Sequence, residues 1–287
     1  MAIYHLSIKI ISRGKGKSAV AAAAYRAGET ITNEYDGITH DYSRKGGVVH
    51  AEIFPAENAP EEYRNRAVLW NAVEKAERYD NAQLAREIEI ALPVELTREQ
   101  NISLARRYVL EQFVSAGMCA DVCVHDPDRE TPNPHAHIML TMRPIERGGE
   151  WGAKSKTVNG RKVNTVDWND REKAEDWRKA WAVCCNDALR ANGHDAGLDH
   201  RSYERQGIEQ IPTVHLGVAA TRMERKGIRT ERGDLNRETE FTNKQIRQLR
   251  ARINKVKDWL KEEAENPAPP TLADIISDIL SDGESKT

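Results

Sequence analysis

Three of the nine histidines, His125, His135 and His137, fall within thirteen positions, in the stretch HDPDRETPNPHAHIML. The runs CADVCVH (119–125) and HAHIMLTM (135–142) read as strands, and a loop rich in Pro, Asp and Asn joins them. Side chains two apart on a strand share a face, so His135 and His137 point the same way. His125, at the end of the preceding strand, folds across to meet them if the two strands form a long-loop hairpin. Three neutral imidazoles converging on one point leave coordination positions open, which is the arrangement of a catalytic metal site. With no cysteine among the three, Mg2+, Mn2+ or another exchangeable divalent ion is expected in place of tight structural zinc.

The rest of the chain supplies elements around that pair. Residues 2–11 alternate as a half-buried strand, with Tyr4, Leu6, Ile8 and Ile10 on one face. Arg86 to Leu92 alternates again, carrying Glu87 and Glu89 on one face and Ile88 and Ile90 on the other, and Pro93 closes it. Asp36-Gly37 marks a hairpin turn, and Val48 to Phe54 is extended. Helices are expected at 61–78, from Thr97 to about 116, and at about 170–192, the last with Trp168, Trp177 and Trp181 nearby. Residues 144–168 read as an irregular surface insertion. Together these predict an α+β fold, an antiparallel sheet with helices packed on one side of it. Cys119, Cys123, Cys184 and Cys185 lack zinc-ribbon or redox spacing and read as buried, reduced core residues.

From Arg222 to Lys261 thirteen Lys or Arg stand against six Asp or Glu, and Ile246, Leu249, Ile253, Val256 and Leu260 recur at spacings of three and four. That pattern predicts one long basic helix with a narrow apolar seam. Beyond Lys261 the charge reverses to seven acidic residues opposed only by Lys286. NPAPPT makes a stiff break there, before a short amphipathic stretch at about 271–281.

The segment SRGKGKSAVAAAAYRAG (12–28) has two readings. A phosphate-binding P-loop needs glycine five positions before Gly16, and Ile11 stands there, so the nucleotide reading fails. The remaining reading is a helix over 18–27, capped by Ser18, stopped by Gly28 and presenting Tyr25. A phenol with an ordinary pKa of about 10 is a weak nucleophile, but a nearby cation lowers the cost of its phenolate. Attack on a phosphodiester would leave a phosphotyrosine that a free DNA hydroxyl can reverse.

AIYHLSIKI, SAVAAAAYRAG, EIEIALPVELT and NPHAHIML occur in the order and spacing of the MobA/MobL-type plasmid mobilisation relaxases, of the HUH endonuclease superfamily, and the chain resembles them over roughly residues 1–215, including DHRSYERQGI and PTVHLG. The resemblance implies a relaxase domain over 1–220, followed by a basic helical extension (221–261) and an acidic, Pro-containing tail (262–287). It implies site- and strand-specific nicking and rejoining of DNA at an origin of transfer through a covalent 5′-phosphotyrosine. By motif position Tyr25 corresponds to the nucleophile, with Tyr35 as fallback, and His125, His135 and His137 to the metal-binding triad. Glu87 and Glu89 match the family's acidic pair, one of which orients a histidine or acts in proton transfer.

A net charge of -2 gives no global basic signal, so contacts to phosphates must be local. Arg13, Lys15 and Lys17 in the opening loop, Arg26 beside the tyrosine, and Arg222, Arg225, Lys226, Arg229 and Arg232 are the candidates, with the basic, glycine-rich stretch 147–164 as a further one. The implied partners are single-stranded DNA with an adjacent duplex or hairpin, accessory relaxosome proteins and a type IV secretion coupling protein. The start MAIYHLSIKII carries no secretory pattern, and no run approaches the roughly 18 apolar residues of a spanning helix, so a cytoplasmic bacterial protein is expected. Two rival readings are a metal-dependent nuclease that uses water and a DNA-binding replication or transcription factor that does not cut. The first would cleave without a covalent adduct, and the second would not nick at all.

Overall fold

A computed structural model describes residues 3–126, 133–265 and 273. The chain divides into two compact units, Met1–His200 and Arg201–Thr287.

The first unit is built on a five-stranded antiparallel sheet. Its strands are β1 (Leu6–Ser12), β4 (Val48–Phe54), β5 (Gln83–Ala91), β6 (Ala120–His125) and β7 (His135–Thr141), in the order β1-β5-β7-β6-β4. The strand carrying two of the histidines is therefore central. A small hairpin of β2 (Thr30–Thr32) and β3 (Thr39–Asp41) turns at Gly37, whose φ of 73° suits glycine. A second hairpin, β8 (Ser155–Val158) with β9 (Arg161–Asn164), gives order to the stretch expected to be irregular.

Helices cover both faces of the sheet, which corrects the one-sided expectation. On one face α3 (Arg98–Val109) and α4 (Arg171–Ala191) pack Leu104, Tyr108, Trp177 and Trp181 against Ile88, Ile90, Val122, Ile138 and Leu140. Thr97 and Gln100 form a reciprocal capping box at the start of α3, and the helix relaxes into a π-turn over Leu110–Val114. On the other face α1 (Ala19–Ala27) and α2 (Arg66–Ala76) bury Ala19, Val20, Ala23 and Ala24 with Leu69, Trp70, Val73 and Met139. The expected helix over 61–78 is interrupted: a 3-10 turn at Glu61–Arg64 ends at Asn65, whose side chain caps α2 by accepting from Val68 N. All four cysteines are free and buried, as expected, and burial pushes the Cys119 thiol up to about 11.

Buried ion pairing lets the second face be covered. Asp121 on β6 accepts two hydrogen bonds from Arg66, each 2.8 Å, and one of 2.8 Å from Trp70 Nε1, all three residues being buried. Its charge is thereby paired beneath α2.

In the second unit the predicted single basic helix is two, α5 (Gly217–Arg225) and α6 (Glu231–Glu265). The break lies at Lys226-Gly227, where Gly227 takes φ 76°. Apart from Ala273, the amphipathic stretch at 271–281 lies outside the described residues, as does the acidic tail beyond Glu265. No helix among the described residues is long and apolar enough to cross a membrane.

Candidate metal centre and nucleophile

Register brings the histidines together. In the β6–β7 ladder His125 pairs with His135 and Cys123 with His137, so all three imidazoles emerge on the face covered by α1. Their ring centroids lie 4.9–5.2 Å apart, and one ligand atom from each falls within 4.8 Å of the others.

Each ring is anchored through one nitrogen. His125 Nε2–H donates to the Arg26 carbonyl (2.7 Å), His135 Nδ1–H to the Asn133 carbonyl (2.8 Å) and His137 Nδ1–H to Glu87 Oε1 (3.0 Å). An acceptor oxygen at one nitrogen fixes the proton there, which leaves His125 Nδ1, His135 Nε2 and His137 Nε2 with lone pairs. Burial pushes the His125 pKa down to about 4 against the pull of the Arg26 carbonyl, and Lys45 and the other two imidazoles lower it further. Burial lowers His135 as well. Neutral imidazoles with oriented lone pairs are the donor set a divalent ion requires, so these residues fit a metal.

The two glutamates part company. Glu87 is buried and accepts from Arg26 Nε (2.6 Å), from a second Arg26 nitrogen (2.5 Å) and from His137. Burial would raise its carboxyl, but the His137 hydrogen bond and the Arg26 charge outweigh it and bring it down to about 2. Glu89 instead pairs with Lys9 Nζ at 2.8 Å.

Tyr25 sits near the end of α1. Ser18 accepts from Ala21 N at the helix start, and Gly28 ends it with φ 69°. The phenol ring is half exposed, packs edge-on against Tyr42 at 5.2 Å and carries Lys45 Nζ 4.1 Å above its centroid. Lys45 also donates to the Tyr25 carbonyl (2.8 Å), and burial lowers its pKa. Sequence reasoning missed Lys45 and Tyr42, since neither lies in a periodic element. The Lys45-Gly46-Gly47 loop offered no pattern to find them by. Tyr35 lies elsewhere, its ring 4.2 Å beneath Arg13, whose guanidinium reaches the start of α1 through Glu74.

Several candidate DNA contacts are otherwise engaged. Arg13 donates to the Glu74 carboxylate (2.7 Å) and to the carbonyls of Glu74 (3.0 Å), Tyr79 (3.1 Å) and Glu77, which ties the opening loop to α2. Glu74 also accepts from Ala19 N (2.7 Å), so a protein carboxylate fills the place at the α1 N-terminus that a nucleotide phosphate would take. Arg26 belongs to the histidine cluster through Glu87. Arg229 is paired with Asp234, and Arg232 donates to the His215 and Leu216 carbonyls. Lys15, Lys17, Arg222, Arg225 and Lys226 are exposed. An unforeseen cavity of about 760 Å³ is lined by Tyr63, Lys75, Arg78, Tyr79, Arg143 and Trp151.

Comparison with known proteins agrees with this geometry. The chain is 42% identical over 253 residues to mobilization protein MobL of Acidithiobacillus ferridurans, covering 79% of this chain and 65% of that one. It is 35% identical over 294 residues to a probable mobilization protein MobA of Bifidobacterium longum, covering 91% and 51%. The chain thus spans less than two thirds of either curated relative. A solved structure described as the molecular basis of vancomycin resistance transfer in Staphylococcus aureus matches with a TM-score of 0.65 at 34% identity, covering 70% of this chain and all of that one. The MobA/MobL family model matches residues 17–226, the span that holds α1 with Tyr25, the Glu87 strand and the β6–β7 histidines, and on that match the chain belongs to the MobA/MobL family.

Proposed function

We propose that the protein is a DNA relaxase that nicks one strand at a plasmid origin of transfer and rejoins it, with Tyr25 as nucleophile. The observation that carries this reading is the trio of converging imidazoles, one of which, His125, is anchored by the carbonyl of Arg26, the residue following Tyr25. A divalent ion held by His125, His135 and His137, Mg2+ or Mn2+, would polarise a non-bridging oxygen of the scissile phosphate. A donor set of imidazoles alone favours Mn2+ over Mg2+.

The protein's own groups do the rest. Tyr25 Oη forms the bond to phosphorus and the bond from phosphorus to the 3′ oxygen breaks. The phenolic proton leaves to solvent, and the departing 3′ oxygen takes one up. Lys45, above the phenol ring, offsets the negative charge that develops in the transition state. Glu87 holds His137 and Arg26 in place. Because the phosphodiester is exchanged for a phosphotyrosine of similar energy, a free DNA hydroxyl reverses the step. Lys15, Lys17, Arg222, Arg225 and Lys226 contact phosphates, and the cavity between Tyr79 and Trp151 offers aromatic faces with cations for a single strand. Residues 1–220 form the nicking domain, with 221–261 and 262–287 as its extension and tail. The reaction takes place in the bacterial cytoplasm with accessory relaxosome proteins and a type IV secretion coupling protein.

The test incubates the full chain with a single-stranded transfer-origin oligonucleotide and Mn2+ and resolves products on a denaturing gel. A covalent 5′ adduct is expected, and Tyr25→Phe abolishes it while Mn2+ binding by calorimetry is unchanged. An adduct retained in Tyr25→Phe, or cleavage with no adduct in the wild type, overturns the assignment.

A further inference from the structure

A second surface suited to a nucleotide lies at the end of the sheet away from the histidines. Arg143, just past β7, is six residues beyond His137, roughly 20 Å farther along at 3.3 Å per strand residue. There the cavity of about 760 Å³ opens between α2 and the turn that carries Trp151, within the size range of sites that hold small ligands. Ala72 and Ala76, one turn apart on α2, leave the room for it.

Its walls are built in advance. Trp151 stacks on the buried Tyr63 ring at 5.5 Å. A bridge between Trp151 and Ile145, with Gly152 N–H donating to the Pro144 carbonyl (2.8 Å), fixes the turn. Arg143 is aimed by the buried Glu77 carboxylate, which accepts from its Nε at 2.9 Å, and it donates again to the Gly152 carbonyl (3.1 Å). Lys154 Nζ also reaches Glu77 (2.7 Å), so the carboxylate behind the cavity is satisfied by two cations. At the mouth Lys75, Arg78 and Tyr79 are exposed, and neither Lys75 nor Arg78 forms an ion pair among the described residues. No carboxylate among the described residues lines the cavity.

The aromatic faces continue toward α1. The Arg13 guanidinium donates to the Tyr79 carbonyl (3.1 Å) and lies 4.2 Å from the ring centroid of Tyr35, which is also exposed. A single exposed ring needs no explanation, but several beside unpaired cations around a preformed recess do. Flat π faces with free cations suit a polyanion whose rings are open to stacking. A duplex hides its base faces, so the match is to a single strand, held by stacking and phosphate attraction without base readout.

We propose that Tyr35, Tyr79 and Trp151, with Lys75, Arg78 and Arg143, form a sequence-tolerant single-strand subsite remote from the nick. At 3.4 Å per stacked nucleotide, about six nucleotides separate it from the histidines. The proposal rests on the nicking reading for the identity of the strand. Its consequence is that much of the hold on the DNA lies at the opposite end of the sheet from the chemistry.

Binding of a fluorescein-labelled oligothymidylate, long enough to bridge both places, to the full chain in EDTA tests this by anisotropy without cleavage, and melting curves confirm that each variant is folded. Tyr79→Ala is expected to weaken binding about tenfold. Lys75→Ala with Arg78→Ala lowers the slope of log affinity against log salt by about 1.4, or about 0.7 for each phosphate freed. Lys179→Ala with Arg190→Ala removes the same charge from α4 on the opposite face and leaves the slope as it was. Irradiating the same strand with 5-iodouracil incorporated crosslinks it to Tyr35, Tyr79 or Trp151, mapped by mass spectrometry. Unaltered affinity in Tyr79→Ala, equal slope changes in the two double variants, or crosslinks confined to other residues overturn the proposal. Thymidine monophosphate that competes as strongly as the oligonucleotide overturns it in favour of a free-nucleotide site, and a duplex that binds as tightly overturns it in favour of double-stranded DNA. The Tyr25 adduct is scored separately: its absence with these effects present sinks the nicking reading alone, and loss of these effects with the adduct intact sinks only the subsite.

Discussion

Replacing Glu87 by glutamine separates the two members of the acidic pair. The Glu87 carboxylate accepts from His137 Nδ1 at 3.0 Å and from Arg26 Nε at 2.6 Å, in a buried site. Both donors converge on Oε1, so a glutamine carbonyl in that place still accepts from each, but it carries no charge. The buried Arg26 guanidinium loses its counter-charge and both hydrogen bonds weaken from charge-assisted to neutral, a loss of about 1–2 kcal/mol. The weaker acceptor fixes the His137 proton on Nδ1 less firmly, so the lone pair on Nε2 is less basic and less well aimed. Loss of such an anchoring partner lowers metal affinity about 10- to 100-fold, or about 1.4–2.7 kcal/mol. Titration of the apo protein with Mn2+ by calorimetry reads the affinity, and a melting curve confirms that the variant is folded. Glu89→Gln serves as the control, because Glu89 is paired with Lys9. It is expected to change Mn2+ affinity by less than about twofold, as near-surface pairs do. A Glu87→Gln protein that binds Mn2+ as the wild type does, or a Glu89→Gln protein that loses more, would refute the reasoning.

Lys45→Met removes the cation 4.1 Å from the Tyr25 ring and is expected to slow single-turnover adduct formation about tenfold while leaving Mn2+ binding intact; an unchanged rate would contradict a role for Lys45. Asp121→Ala leaves the buried Arg66 guanidinium with Glu29 alone and should lower stability to urea by about 3 kcal/mol, much of it recovered by adding Arg66→Met. Acid should destabilise the metal-free protein through His125, whose pKa falls from 6.5 to about 4 on folding. The unfolded chain then binds more protons between those values, so stability is full above pH 6.5 and drops by about 3 kcal/mol as pH falls to 4. Urea midpoints across that range should flatten in His125→Asn, and parallel curves for the two proteins would exclude the histidine as the cause.

What was legible in the sequence were the features with local physical causes. Ser18 and Gly28 bracket α1 because a hydroxyl satisfies an open amide and glycine alone takes a left-handed stop cheaply. Alternation located the strands, and the histidine spacing pointed to the β6–β7 hairpin whose register the structure supplies. What the sequence left open was the far side of each contact. Alternation shows that β5 has an apolar face and an acidic one, but not that α1 and α2 lie over the acidic face, because Arg26 and Arg66 come from elsewhere in the chain. Arg13 read as a candidate phosphate contact for the same reason, its acceptors being 61 to 66 residues away. The break at Gly227 was marked by a local signal, a glycine in a basic run, that the apolar periodicity on its C-terminal side obscured.

The loop before α1 resembles a phosphate-binding turn, yet its chemistry lies at the other end of the helix. Glu74 closes the N-terminus by accepting from Ala19 N, so no anion is needed there. At the C-terminus the last carbonyls have no partner within the helix, and that of Arg26 accepts from His125, 99 residues later. The partial negative charge at that end favours an acceptor role, which keeps the proton on Nε2 and the lone pair on Nδ1. The residue that anchors His125 is the one after Tyr25, and its guanidinium grips Glu87, which in turn anchors His137. Tyr25 and two of the three imidazoles are thereby fixed to one short helix. A shift of α1 by a fraction of an ångström moves them as a unit, so its buried alanines, which let it lie against the sheet, set the geometry of the site as well as its stability.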